Sequence, residues 1–163
     1  MSKENQMSKE IAVRQKSLLK GILAGLIGGL IATVAKTYAE RLYPPRTHGE
    51  PEPPVLLAEK IAGHHLAEPE KTIAAESIHW GFGVLTGAAY GGLAEFYPAA
   101  TDKGGASFGM VLASLTHDGL LPAMDLSAPA GQQTSREHTS QMATHMVYGI
   151  VTETVRGLIR RLL

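Results

Sequence analysis

Polar and apolar positions fall in long blocks along the chain. Residues 1–20 are polar and basic, with Lys3, Lys9, Arg14, Lys16 and Lys20. Gly21 to Ala35 then carries no charge, and Lys20 and Lys36 can snorkel from its ends while Thr37–Tyr38 lengthen it, which predicts a membrane span over about 18–43. Residues 44–72 form a polar connection broken by Pro44–Pro45, Pro51, Pro53–Pro54 and Pro69, within which Val55 to Leu66 predicts a short amphipathic helix at the surface. A second span is expected over about 73–97, because Ser77 to Ala94 lacks Asp, Glu, Lys and Arg. Pro98 to Lys103 predicts a tight turn, and a third span over about 104–124 is interrupted by His117–Asp118 and Pro122. A Pro-, Gly- and Gln-rich loop covers 125–137, and a fourth span runs over about 138–160. The expected fold is all-α: an integral membrane bundle of four transmembrane helices (18–163) behind a basic cytoplasmic tail (1–17). A basic start before a short apolar run also describes a signal peptide. Three further apolar segments and the lack of a small-residue cleavage site argue against one.

Composition qualifies this picture. The 163 residues suggest one domain, and their zero net charge removes the electrostatic case for nucleic acid. The absence of cysteine excludes disulfides, thiolate metal sites and cysteine nucleophiles. A mean hydropathy of zero fits a soluble helical bundle as well as a membrane protein, so the arrangement has to decide. The cations of the tail, together with Arg156, Arg160 and Arg161, flank the expected spans on one side. The first loop instead holds Glu50, Glu52, Glu59, Glu68 and Glu70. By the positive-inside rule both termini are then cytoplasmic, in agreement with an even number of spans.

Close packing of small residues is what brings helices together in lipid. Gly21, Gly25 and Gly29 recur on one face of the first span, Gly83, Gly87 and Gly91 on the second, and Gly105 and Gly109 on the third. These ridges suit packing within the chain or self-association.

Ionisable groups facing lipid would cost on the order of a few kcal/mol each, so those in the spans are expected to gather inside. The first span offers Lys36 and Glu40 at i, i+4, and the second Glu76, His79, Tyr90 and Glu95. The third offers His117 and Asp118, and the fourth His145 and Glu153. Three readings of His79, His117 and His145 stay open: structural hydrogen bonding, a proton-active path, and ligation of haem or a metal. Only Glu76–His79 has the spacing of a helical ligand pair, and no metal site or bound cofactor is assigned. No phosphate loop, nucleophile elbow, HExxH or dinucleotide fingerprint occurs, so no catalytic residue is named and an enzyme is not expected. His48, His64 and His65 suit solvated loop positions.

The polar pattern resembles the YagU-like family of bacterial inner-membrane proteins, whose function is uncharacterised. The resemblance rests on Lys36, Glu40 and Pro44–Pro45–Arg46; on His79, Tyr90, Ala94–Glu95 and Pro98; on His117, Pro122, Met124 and Leu126; and on His145, Glu153 and Arg156. It implies a multi-pass inner-membrane fold and a loose link to acid tolerance, and it supplies no catalytic residues. The shorter first loop and longer charged tail depart from the family pattern. The expected partners are the lipid bilayer and either further copies of the chain or a larger respiratory or photosynthetic complex, to which it would be an accessory subunit.

Overall fold

The computed structural model describes residues 16–47 and 49–163, so most of the basic tail, and His48, lie outside the described residues. Among those residues the fold is all-α. The helices are α1 (Leu18–Leu42), α2 (Pro53–Ala62), α3 (Glu70–Phe96), α4 (Ala106–Ala113), α5 (Leu121–Ala123) and α6 (Ser135–Leu162). Local chemistry sets their ends. Ser17 caps α1 by accepting from the Lys20 amide, and Pro44–Pro45 follow its last turn. The Val55–Leu66 expectation shifts to Pro53–Ala62, because Pro53 and Pro54 suit the first helical positions and left-handed Gly63 (φ 74°) closes the helix. Thr134 caps α6 by accepting from the Glu137 amide at 3.1 Å, and the helix starts three residues before the expected His138.

The third apolar run, expected over 104–124 with interruptions at His117–Asp118 and Pro122, is not one continuous α-helix. The turn expected at Pro98–Lys103 begins in 3-10 geometry and is kinked by non-helical backbone at Asp102, Lys103 and Gly104 before the short α4. A π-helical segment then spans Ser114–Leu120 before α5. Two side chains explain the widening. Thr116 Oγ1 donates to the Leu112 carbonyl at 2.7 Å and competes for the helical ladder. Pro122 has no N–H to continue that ladder, and the Leu121 amide instead reaches back five residues to Thr116 O.

α1 lies at the centre and packs antiparallel to both α3 and α6, while α4 packs antiparallel to α6. The four long runs therefore alternate in direction. Both described ends meet at one end of the bundle, where Lys20 Nζ donates to the Leu163 carbonyl. Gly21, Gly25 and Gly29 face Gly91, Gly87 and Gly83 across the α1–α3 contact. Gly28, on another side of α1, meets the Thr152 carbonyl of α6, and Gly105 and Gly109 face Gly149. Gly105 is doubly required, by its left-handed φ of 90° and by the approach of Gly149 O.

The distribution of side-chain size is inverted relative to a water-soluble core. The buried apolar residues are Ala24, Ala32, Ala58, Tyr90, Ala94, Ala113, Leu126 and Tyr148. Thr33, Ser140, Gln141, Thr144, His145 and Thr152 are buried beside them. Large aliphatic side chains point outward instead: Leu19 is 66% exposed, Leu85 71% and Leu115 65%. Among the described helices, α1 alone is long and apolar enough by composition to cross a membrane. The other long runs dilute their hydropathy with the glycines, hydroxyls and charges of their inner faces.

A methyl group at Gly87 would collide with the Gly29 backbone and the Gly25 carbonyl, whereas one at Gly81 of the same helix meets nothing within 4 Å. Gly87→Ala is expected to lose about 1–3 kcal/mol through overpacking. Gly81→Ala is expected to be neutral or to gain up to about 1 kcal/mol of helix propensity. A denaturant titration of the two variants checks the contrast.

Candidate functional site

Beyond the glycine contacts, the bundle opens into a cavity of about 560 Å³ between α1, α2, α3, the π segment and α6. α1 lines it with Thr33, Lys36, Thr37 and Glu40, and α3 with Glu76, His79 and Phe82. The π segment contributes Thr116, His117 and Leu120, and α6 contributes Gln141, His145 and Tyr148. α2 covers it with Pro53, Pro54 and Leu57.

His79, His117 and His145 thus come from three runs to one space. His79 Nε2 lies 3.0 Å from Thr37 Oγ1, one residue beyond Lys36, which pairs with Glu40. His145 Nδ1 lies 2.9 Å from the Gln141 carbonyl. A carbonyl only accepts, so Nδ1 carries the proton and Nε2 is left for another partner. The His117 ring stands edge-on to His145, with centroids 4.9 Å apart and planes at 75°. Its carbonyl accepts from Gln133 Nε2 at 2.9 Å, which anchors the π segment from behind. At the floor, Tyr148 donates to the Gly83 carbonyl at 2.6 Å.

The mouth is tied down by ion pairs and backbone contacts. Arg46 pairs with Glu137 at 3.1 Å, and Arg136 donates to the Pro44 carbonyl while lying over the Tyr43 ring. Lys60 Nζ donates to the Met124 carbonyl at 2.7 Å and fastens α2 to the turn after α5. On α2, a hydrogen bond from His65 holds the Glu59 carboxyl below its usual range.

The polar set expected as one cluster is divided into three. Tyr90 donates to Glu153 at 2.8 Å, Glu153 receives a two-pronged pair from Arg156, and Phe108 stacks on Tyr90 at 4.2 Å. Glu95 lies further along and takes the Arg160 guanidinium and the Ser17 amide, the latter at 3.1 Å. The division follows from helix geometry, since residues on parallel α3 and α6 meet only at matching heights. Asp118 sits toward the opposite end, where His138 Nδ1 lies 3.6 Å from its Oδ1, too far for a hydrogen bond. Glu76 accepts from Trp80 Nε1 at 2.8 Å instead of joining His79. Among the described residues, no three or more His, Asp or Glu side chains could together hold a metal ion.

Gln141, Thr37, Tyr148 and Arg160 were not expected among the site residues from the sequence, where Thr37 only lengthened the first span and Arg160 only flanked the fourth. Gln141 lies one turn before His145 on the same helix face, so the i, i+4 spacing was available as a signal. Arg160 needed the fold to bring it to Glu95.

The family model for DUF1440, described as a protein of unknown function, matches residues 30–154. The chain belongs to the DUF1440 family. Every cavity-lining residue falls within the matched span, whereas Arg156, Arg160 and the four glycines of α1 lie outside it. No curated protein and no solved structure matches the chain.

Removing one member of the Glu153–Arg156 pair strands a largely buried charge. Glu153→Leu is expected to lose about 3 kcal/mol. Glu153→Leu combined with Arg156→Leu should recover more than half of that loss, and Tyr90→Phe should lose about 1 kcal/mol. A double-mutant cycle measured by denaturant unfolding checks all three.

Proposed function

We propose that this DUF1440 protein is a four-pass integral membrane protein of the bacterial inner membrane, with a cavity that responds to protons. The observation that carries the membrane reading is the inverted side-chain distribution, with glycine, alanine and hydroxyl residues inside and leucine and isoleucine outside. Leucines left in water over this much surface would be an aggregation hazard, whereas in lipid they are solvated. At 1.5 Å per residue, α1, α3 and α6 are about 37–42 Å long, and the run from Ala106 to Ala123 is about 27 Å, against a hydrocarbon core of about 30 Å. Lys16, Lys20, Lys103, Arg156, Arg160 and Arg161 collect at the end where the described termini meet. The other end carries Arg41, Arg46, Lys60, Lys71 and Arg136, and the stretch that precedes Lys16 in the sequence adds Lys3, Lys9 and Arg14 to the first set, which supports a cytoplasmic position for the termini. The resemblance to the YagU-like pattern supports the bacterial inner membrane.

The convergence of His79, His117 and His145 supports the proton response. Lys36 of α1 opposes the charge that protonation adds, and Arg46 of the following segment has the same sign. Glu40 of α1, Glu52 beside α2 and Glu76 of α3 favour it. A protonated imidazole attracts water and partner carboxylates, so acid is expected to rearrange the cavity wall.

The chain has no cysteine, so single cysteines report topology directly. Gly131→Cys should react with a membrane-impermeant maleimide on intact cells, and Lys103→Cys only after the membrane is opened. Equal labelling at both positions from outside, or recovery of the protein without membranes, would overturn the four-pass reading. Trp80 is the single tryptophan, with its ring centroid 6.1 Å from that of His79. Its emission should shift as the pH falls from about 7.5 to about 4.5. Replacing His79, His117 and His145 together with Gln should abolish the shift, and an unchanged shift in that variant would refute the proton response.

A further inference from the structure

We infer that a groove on the outer face of α1 and α3 seats one acyl chain of an anionic phospholipid, with its headgroup at Lys16 in the cytoplasmic leaflet. The inference rests on the membrane reading above, but not on the cavity or its proton response. The groove encloses about 360 Å³ and shares no residue with the cavity. Its α1 side is Leu18 and Ile22, and its α3 side runs from Ala88 to Tyr97. Small residues keep it hollow, since Ala88, Ala89 and Gly92 stand among the large Leu93 and Phe96. A Cβ added at Gly92 would lie 3.2 Å from Leu18 Cδ1 and 3.3 Å from Ile22 Cγ1.

Length, polarity and charge each restrict the occupant. From Ala88 to Tyr97 the α3 backbone rises about 14 Å, close to the ~15 Å of hydrocarbon in one leaflet. The lining side chains are apolar apart from the Tyr97 hydroxyl at the end of the groove, so they suit a hydrocarbon chain. The Ser17 amide donates to Glu95 at 3.1 Å, which holds Lys16 level with Phe96 and Tyr97. Lys16 is exposed and makes no ion pair among the described residues, and the same is true of Lys103 and Arg161 at this end of the bundle. Glu95 and Glu153 are already engaged by Arg160 and Arg156. Among the described residues, Asp102 is the one side-chain acid left against the three cations. The end is therefore electropositive and attracts an anionic headgroup. A second copy seated in the groove would bring two such ends together at the same depth, where like charges oppose the contact.

The test is native mass spectrometry of the full chain released from nanodiscs of equimolar phosphatidylglycerol and phosphatidylethanolamine with identical acyl chains. Wild type is expected to keep one phospholipid, with phosphatidylglycerol favoured about tenfold. Lys16→Gln should cut that preference about fivefold, the factor that one basic residue beside an anionic headgroup contributes. Ala89 is exposed at the groove, so Ala89→Phe fills it without entering the glycine contact and should remove the retained lipid. Leu115→Phe, at a 65% exposed position of the π segment, should leave retention and preference unchanged. Equal retention of the two lipids in wild type, or no retained lipid, would overturn the inference. So would a preference unchanged in Lys16→Gln, retention that survives Ala89→Phe, or an equal loss in Leu115→Phe. A mass of two chains that Ala89→Phe returns to one would assign the groove to a second copy and overturn it as well. Lys16→Gln alters an exposed residue ahead of α1, so it reads the headgroup contact even where Ala89→Phe fails to fold. Equal labelling of Gly131→Cys and Lys103→Cys from outside would sink the four-pass reading and this inference with it. The expected labelling without a phosphatidylglycerol preference would sink this inference alone.

Discussion

Backbone-to-backbone contact between α1 and its neighbours is the constraint on which the remaining structure depends. Gly21, Gly25 and Gly29 meet Gly91, Gly87 and Gly83 so closely that a methyl group at any of these central positions would strike main chain or a neighbouring side chain. Such contact maximises dispersion between helices, which in the proposed bilayer would take the place of a hydrophobic drive. It also places α1 between α3 and α6, so that the central helix organises the bundle. The Gly105–Gly149 and Gly109–His145 approaches hold the third run against α6 by the same means.

The cavity begins where this contact ends. After Gly29, the positions of α1 that face inward are Thr33, Lys36, Thr37 and Glu40, whose side chains need room. The opposing part of α3 presents Glu76 and His79 in place of glycine. One end of the bundle is therefore closed by glycines and the other is held open by larger polar groups. The mouth is bridged by α2, Arg46–Glu137 and Arg136–Pro44 rather than by helix packing. A tight half and an open half within one short bundle set a glycine-packed base beneath a chamber lined by both polar and apolar side chains.

The π segment adds a second consequence. A regular helix through Ser114–Leu120 would keep His117 and Leu120 in α-helical register with α4. The competition of Thr116 for a ladder carbonyl, together with the missing N–H of Pro122, widens the turn and brings His117 edge-on to His145. The chemistry of the chamber thus depends on a local departure from the geometry that packs the rest of the chain.

Much of this could be read along the chain because it is written in local signals. Helix existence followed from apolar block length, helix ends from Pro, Gly and capping hydroxyls, and the small-residue faces from four-residue glycine spacing. The i, i+4 pairing of Lys36 with Glu40 is likewise a property of one helix. Tertiary structure alone decided which polar residues meet. His79, His117 and His145 share a cavity, while Tyr90–Glu153–Arg156 and Glu95–Arg160 form separate sets at other heights, because contacts between helices depend on relative height and rotation. Those are settled by which glycine seats against which carbonyl, and by how far the π turn rotates the residues that follow Thr116. Spacing within a helix is covalent geometry and is therefore carried by sequence, whereas register between helices emerges only when their surfaces pack.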